Sequence, residues 1–442
     1  MSALELRRSS GVRLSVPLER YELKCGAQLL VSPRPGAPVT ALELHLKGGP
    51  SQDPVGREGT AYLTSALLSQ GTETWSEEEL AAQLEPMGAQ IIGSAFGLAA
   101  RVEGKEWKAL AAIFADMILR PTFPADRVKL QKQRLQHRLL VERENPQAQA
   151  RLAFRRLIYG DHWLGRAAYG SLESVVKINS RALRAHHRRA WVSNRATLAV
   201  CGDVEGTAVK RLFDRLLKGW APGKELKLRK PVFPKRGRRV ALQRADRRQV
   251  HVFMGHLGIR RSDPDYPALV VLDHVLGTGP GFTNRIARRL RDELGLAYSV
   301  HASISSSAGV SPGTFTAYIG TSPENVSTAI AGFLEEMRRI QEEPVSEAEL
   351  ELVKGYLIGS FPMGYERAAR RASYLIASRI HNFPDDYLET LPRAFEGVTP
   401  EDIQRVAQKH LHPGRCCLSA SGPVSKKELS DALRGTGLLA AR

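Results

Sequence analysis

Cys25, Cys201, Cys416 and Cys417 are the thiols of the chain, and no two of them have the Cys-x-x-Cys spacing of a metal or redox site. Cys416 and Cys417 are adjacent, and neighbours in sequence rarely bridge. All four lie in apolar, strand-like runs, so the expectation is reduced, buried thiols in a reducing compartment. His186 and His187 are also adjacent, and on a helix they point to different faces, where they cannot share one ion. The glycine-rich run GTGPGFTN (Gly277–Asn284) has neither Gly-x-Gly-x-x-Gly spacing nor a Walker lysine, which argues against phosphate binding. The segment GTAYLTSALLSQGT (Gly59–Thr72) reads as a short helix on which Ala61, Leu63, Ala66 and Leu67 pack, with Gly71 to end it. In its middle, Ala61 to Leu68, Tyr62, Thr64 and Ser65 are the only side chains with polar atoms. None ligates zinc well or titrates near neutral pH. So inert a helix, set between glycine turns, needs an explanation.

A hydrophobic fraction of 43% and a charged fraction of 25% describe a globular chain, and 442 residues suffice for two to three domains. No run of eighteen apolar residues exists, so no membrane span is expected. The first residues carry arginines without an apolar core, which argues against a secretory signal. Glu5 and Glu19 interrupt the basic stretch and argue against a mitochondrial transit peptide, so a cytoplasmic location is expected. The net charge is +18, but its basic residues are spread along the chain with no aromatic-rich or zinc-finger motif. The densest basic block, KELKLRKPVFPKRGRR (Lys224–Arg239), contains two prolines and reads as a solvated linker. No specific nucleic-acid partner is expected. An acidic partner or substrate is the better use of the charge.

Four segments recur in the same order at a nearly constant offset. HLKGGPSQDP (His45–Pro54) pairs with GHLGIRRSDP (Gly255–Pro264), and LAAQLEPMGAQIIGSA (Leu80–Ala95) with IARRLRDELGLAYSVHA (Ile286–Ala302). The helical runs Phe123–Leu140 and Pro344–Phe361 follow, and then SNRATLAVCGDV (Ser193–Val204) pairs with PGRCCLSASGPV (Pro413–Val424). This implies two similar domains, residues 1–222 and 240–442, joined by the basic linker 223–239. Strand pairs, helices and further strands within each half predict an α+β fold, a mainly antiparallel sheet with helices packed on one face. Ser76 and Glu79 form a capping box ahead of Leu80, Leu84 and Met87, and Leu110, Ile113, Phe114 and Met117 form a second core stripe.

This duplicated pattern has glycines and an aspartate before a short helix, and Gly-Leu-Ala-Tyr-Ser-Val in its second half. It resembles the pitrilysin (insulinase) family of zinc metallopeptidases over nearly the whole chain. Its length resembles the branches in which two two-domain subunits close into a chamber. In active members the short helix carries His-x-x-Glu-His, two zinc ligands on one face and the base that serves the zinc-bound water. Laid on that motif, Gly59, Ala61, Leu68, Gly71 and Thr72 coincide, the histidine positions fall on Tyr62 and Ala66, and the base falls on Ser65. The third ligand, a glutamate on a later helix, falls on Arg138 within one turn when aligned on Asn145-Pro146. All four are lost, and the sequence has no other His-x-x-Glu-His or its inverse. The resemblance therefore implies no metal in this chain, with zinc held by a partner subunit.

The family also carries an arginine on a helix and a tyrosine seven residues on, which fall on Arg291 and Tyr298 in FTNRIARRLRDELGLAYSV (Phe282–Val300). The resemblance implies that this pair contacts bound peptide beside the scissile bond, the guanidinium toward carbonyls and the phenol toward the oxyanion. Read from the residues alone, Tyr298 alternates with Leu296 and Val300 and equally fits a core strand, and Arg291 equally fits a helix surface. A flexible loop at Gly277–Asn284 is a further implication of the resemblance. GAQIIGSAFG (Gly88–Gly97) aligns with the edge strand that pairs with substrate in active domains, but lacks its polar character. The implied function is that of a non-catalytic subunit in a heterodimeric zinc peptidase. It would close the chamber and contact the peptide substrate through Arg291 and Tyr298. The alternative is a structural or peptide-binding relative with no role in proteolysis.

Overall fold

The computed structural model of the chain describes residues 16–228, 239–243, 248–279 and 283–434. Most of the basic linker and the centre of the glycine-rich run lie outside them. The first half builds a sheet from β1 (Glu19–Glu22), β2 (Gln28–Pro33), β3 (Val39–Leu46), β4 (Gln90–Ser94), β5 (Gly97–Glu103) and β6 (Ala196–Gly202). Their order is β1-β2-β6-β3-β5-β4, antiparallel except for the parallel pair β2-β6. The second half builds β7 (Val240–Gln243), β8 (Val250–Leu257), β9 (Val300–Ser303), β10 (Thr314–Thr321) and β11 (Cys417–Ser421) in the order β7-β11-β8-β10-β9. Its single parallel pair, β7-β11, holds the same place as β2-β6. The repeated segments take equivalent positions, with β3 matching β8, β4 matching β9 and β6 matching β11. The turns before β4 and β9 each use a glycine in the left-handed region, Gly88 at φ +60° and Gly295 at φ +62°.

The period of two along each strand sends alternate residues to opposite faces. Leu29, Val31, Leu42, Leu44, Leu198 and Val200 meet helices of their own half, including Trp107–Leu119 with the expected stripe of Leu110, Ile113, Phe114 and Met117. The capping box forms as its spacing predicts, with Ser76 Oγ accepting from the Glu79 amide and the Glu79 carboxylate from the Ser76 amide. Leu30, Ala41, Ala199 and Cys201 face the other way and are covered by the helix Ala368–His381 of the second half, through Ala368, Ala372, Leu375 and Ile376.

The reverse holds on the second sheet. Phe253, Tyr318 and Cys417 are covered by the helix Pro146–Tyr159 of the first half, through Ala150, Phe154 and Ile158. Each sheet thus packs helices on both faces, one face being served by a helix from the other half. This exchange goes beyond the one-sided packing that the sequence suggested. Polar contacts follow it: Ser373 Oγ donates to Glu43 at 2.6 Å, and Tyr159 Oη donates to the Pro312 carbonyl at 3.0 Å. Cys201, Cys416 and Cys417 are buried, Cys25 is half-buried, and all four are free thiols. Among the described residues no helix is long and apolar enough to cross a membrane.

The exchange makes a first-half residue carry second-half stability. Phe154 is fully buried and stacks on Phe253 with ring centroids 6.4 Å apart. Phe154→Ala is expected to cost about 3–5 kcal/mol. Hydrogen exchange should show the amides of β8 and β11 losing protection along with those of the helix. Loss confined to the first half would contradict the packing described.

Candidate functional site

The short helix of the first half runs Thr60–Ala66. It starts at Gly59, whose φ of +96° and approach to the Tyr169 carbonyl exclude any side chain, since a Cβ would stand 2.4 Å from that oxygen. Asp53 supplies the cap. Its carboxylate accepts from the Gly59 amide at 2.8 Å and the Ala61 amide at 2.7 Å. Burial pushes this carboxyl up to about 7, against the pull of the two amides. The helix stops at Ala66 rather than at Gly71. Single turns closed by Leu68 and Gln70 carry the chain on to that glycine. The sheet-edge strand β4 passes so close that a Cβ on Gly93 would lie 2.6 Å from the Ser65 carbonyl.

The four family-aligned positions fall as follows. Ser65 is buried and its Oγ donates to the Ala61 carbonyl at 3.3 Å, within its own helix. Ala66 is half-buried. Tyr62 is half-buried and meets Tyr169 edge-on, with centroids 6.1 Å apart. Arg138, on the helix Ala125–Arg143, lies with its guanidinium 4.6 Å from the centre of the same Tyr169 ring. The structure therefore brings Tyr62 and Arg138 to one spot, around Tyr169. Arg138 Nε donates to Glu142 at 3.0 Å, and the other Glu142 oxygen accepts from the Tyr169 hydroxyl. The bond to Glu142 raises the Arg138 pKa, and burial together with the same glutamate pushes the Tyr169 phenol up to about 12.

This donor set does not fit zinc. It offers a phenol, a hydroxyl turned onto its own helix, a methyl group and a cation. Glu142, one turn beyond Arg138, is the carboxylate at hand, and Arg138 and Tyr169 already occupy it. Sequence reasoning missed both Glu142 and Tyr169. The i, i+4 spacing of Arg138 and Glu142 was a usable signal, whereas nothing local places Tyr169 against this helix.

Two other groups of histidine and acidic residues serve the fold. His186 and His187 are lowered by burial to about 3 and 4, and His187 Nε2 lies 2.9 Å from the Ile118 carbonyl. Asp263, Asp265 and His410 have the spacing of a metal site. However, Asp265 pairs with Arg405 at 2.9 Å, Lys409 at 2.7 Å and His410 at 2.7 Å. Burial pushes its carboxyl up, but these partners outweigh that and hold it well below the usual range. Two fixed cations on one carboxylate make this an ion-pair clamp rather than a cation site.

In the second half, Asn284 caps the turn Arg285–Ala287 by accepting from the Ala287 amide at 2.9 Å. Buried Arg285 grips Glu349 in a two-pronged pair at 3.0 and 2.8 Å. The helix then widens into a π-helical turn, Arg288–Glu293, which carries Arg291. Gly295 reverses the chain and Thr321 Oγ1 pins the Leu296 carbonyl at 2.7 Å. Leu296 and Val300 are each 8% exposed, while Tyr298 between them is 82% exposed. Tyr298 is thus not a core residue. The Arg291 guanidinium lies 5.1 Å from the centre of its ring.

Comparison with known proteins covers the same ground. The family model described as "Insulinase (Peptidase family M16)" matches residues 29–170, and "Peptidase M16 inactive domain" matches residues 177–357. The chain is similar to an "uncharacterized zinc protease" of Mycobacterium tuberculosis, 27% identical over 85% of this chain and 86% of that one. It is also similar to a "non-peptidase homolog" of Helicobacter pylori, 23% identical over 85% of each chain. Among solved structures, the "peptidase M16 inactive domain" from Pseudomonas fluorescens superposes with a TM-score of 0.85 at 25% identity, over 93% of this chain and 99% of that chain. A Helicobacter pylori protease of 18% identity shares the fold at a TM-score of 0.83, over 93% and 100% of the two chains.

Two measurements test this site. Elemental analysis of the purified, dialysed chain should find no stoichiometric zinc, and one zinc per chain would contradict the reading of Tyr62, Ser65, Ala66 and Arg138. Asp53 gives a pH test. Its folded pKa of about 7 lies above its unfolded value, so its contribution is fully present below about pH 4 and lost as pH rises to about 7. The urea midpoint should therefore fall less steeply across that range in Asp53→Asn than in the parent chain.

Proposed function

The chain belongs to the insulinase family of zinc peptidases, and from that premise we propose that it is the non-catalytic subunit of a two-chain peptidase. A separate chain with His-x-x-Glu-His would hold the zinc. This chain would close the chamber and present Arg291 and Tyr298 to the bound peptide. The observation that carries the reading is the pair itself. Tyr298 stands in solvent between two buried neighbours, with a guanidinium over its ring. A phenol held so makes no contribution to the core and is free to donate to a carbonyl oxygen that gains charge. Arg291 adds fixed donors for adjacent peptide carbonyls.

Strand β4 at the sheet edge passes the vacated helix, but Gly93 and the half-exposed Ile91 give it no polar side chain there. Peptide addition is accordingly assigned to the partner's edge. A second reading is a structural or peptide-binding relative without any role in proteolysis; the "non-peptidase homolog" of Helicobacter pylori is compatible with either.

Peptide cleavage separates the two readings. Mixed with a zinc-bearing family member from its own organism, this chain should give an active heterodimer where neither part alone cleaves. Arg291→Ala and Tyr298→Phe should each lower turnover, by roughly 100- to 1000-fold if the group is a sole oxyanion donor and by less if the two share the task. Size-exclusion chromatography should show assembly unchanged. No cleavage by the mixture would favour the second reading, and wild-type rates in both variants would remove the pair from the chemistry.

A further inference from the structure

We infer that the vacated first-half site opens into a binding cavity for acidic peptide segments, a substrate class that rests on the peptide-chamber reading above. The cavity has a volume of about 560 Å³ and lies between the helices Ala125–Arg143 and Pro146–Tyr159 and the segment 167–173. Glu142 and Tyr169 belong to its wall, so it is continuous with the cluster that replaced the zinc ligands. Arg143, Arg151, Arg155 and Arg156 also line it.

Charge is the argument. Two other arginines near this site have carboxylates: Arg138 has Glu142 and Arg166 has Glu58. Among the described residues none of the four cavity arginines is in an ion pair. Arg155 donates only to the Leu164 carbonyl. The helix that carries three of them, PQAQARLAFRRLIY, contains no acidic residue. Arg151 and Arg155 are i, i+4 neighbours on one face, an arrangement that destabilises a helix unless an anion joins it. Burial and then Arg151 pull the Arg155 pKa below its usual value, which agrees with that geometry. Of the acids in the wall, Glu142 is already taken, and Glu173 is fully exposed to water, where its attraction to Arg143 and Arg156 is screened. The cavity is therefore left with unbalanced guanidinium groups, whose planar donors match carboxylates. It admits side chains but not a nucleic-acid duplex, which selects Asp and Glu carboxylates of a peptide over a polynucleotide.

The test uses the full chain alone, without partner or cleavage, so its outcome is independent of whether the heterodimer reading stands. Fluorescence anisotropy would compare a labelled ten-residue peptide of alternating Glu and Gly with its Lys counterpart and with a single-stranded DNA decamer. The Glu peptide should bind, more weakly as salt rises, and the Lys peptide should not. Arg151→Gln/Arg156→Gln removes two exposed guanidiniums and should weaken binding by about tenfold or more, the size of one charge-assisted hydrogen bond. Arg181→Gln/Arg188→Gln removes the same charge from the helix Ser180–Ala190, outside this cavity, and should leave affinity unchanged. Equal losses in the two variants would reduce the effect to net charge and overturn the site. Failure of the Glu peptide to bind, or tighter binding of the DNA through the same arginines, would overturn the assignment to acidic peptide.

Discussion

The exchange of one helix between the halves is the constraint on which the rest of the molecule depends. Each sheet has two apolar faces, and its own helices cover one. The other face of the first sheet is lined by small residues, Ala41, Ala199 and Cys201, which let a helix bearing Ala368 and Ala372 lie close. The second sheet meets its guest helix with larger groups, Phe253 and Tyr318 against Phe154. Fully burying one such side chain contributes about 1.5–3 kcal/mol, so several together bind the halves as firmly as a domain core. Neither half can shed its partner without exposing a sheet face. The helix Pro146–Tyr159 acts twice, since one side anchors the second sheet and the other carries the arginines beside the vacated site.

That vacated site explains an inert helix between glycine turns. Gly59 and Asp53 still fix where Thr60–Ala66 begins, because the helix remains a packing element between the sheet edge and the segment around Tyr169. Beside this helix Tyr62, Tyr169, Arg138 and Glu142 form one cluster. These are joined by an edge-on ring contact, a cation over a ring and two hydrogen bonds. A charge-neutral cluster of this kind stabilises the fold without offering a ligand. In the second half, by contrast, a solvent-facing phenol beneath a guanidinium contributes little to stability, which is the physical basis for reading it as functional.

Much of this was legible in the sequence where the signal is local. Glycine turns, capping residues and apolar periods are short-range, so three of the four repeated pairs supply strands at equivalent places in the two sheets and the fourth supplies a helix in each half. The helix exchange was not legible, because a strand apolar on both faces reveals that it is covered twice and not by which helix. Tyr298 was ambiguous for a related reason: alternation fixes the face a residue points to, but not whether that face is wet. The helix end was placed at Gly71 on its glycine, yet backbone turns closed by Leu68 and Gln70 end it sooner. Tyr169 could not be found from sequence at all, since only the folded chain brings it to Tyr62 and Arg138. The flexible loop expected at Gly277–Asn284 has its centre, residues 280–282, outside those described, as does most of the linker.

In the proposed complex Tyr298 and Arg291 reach into a peptidase site completed by another chain. The most direct measurement is an experimental structure of the complex with a zinc-bearing family member from the same organism and a slowly cleaved peptide. The Tyr298 hydroxyl should lie within about 2.7–3.1 Å of the scissile carbonyl oxygen, with Arg291 on a neighbouring carbonyl. A peptide bound at the metal with Tyr298 turned to solvent and Arg291 out of reach would contradict it.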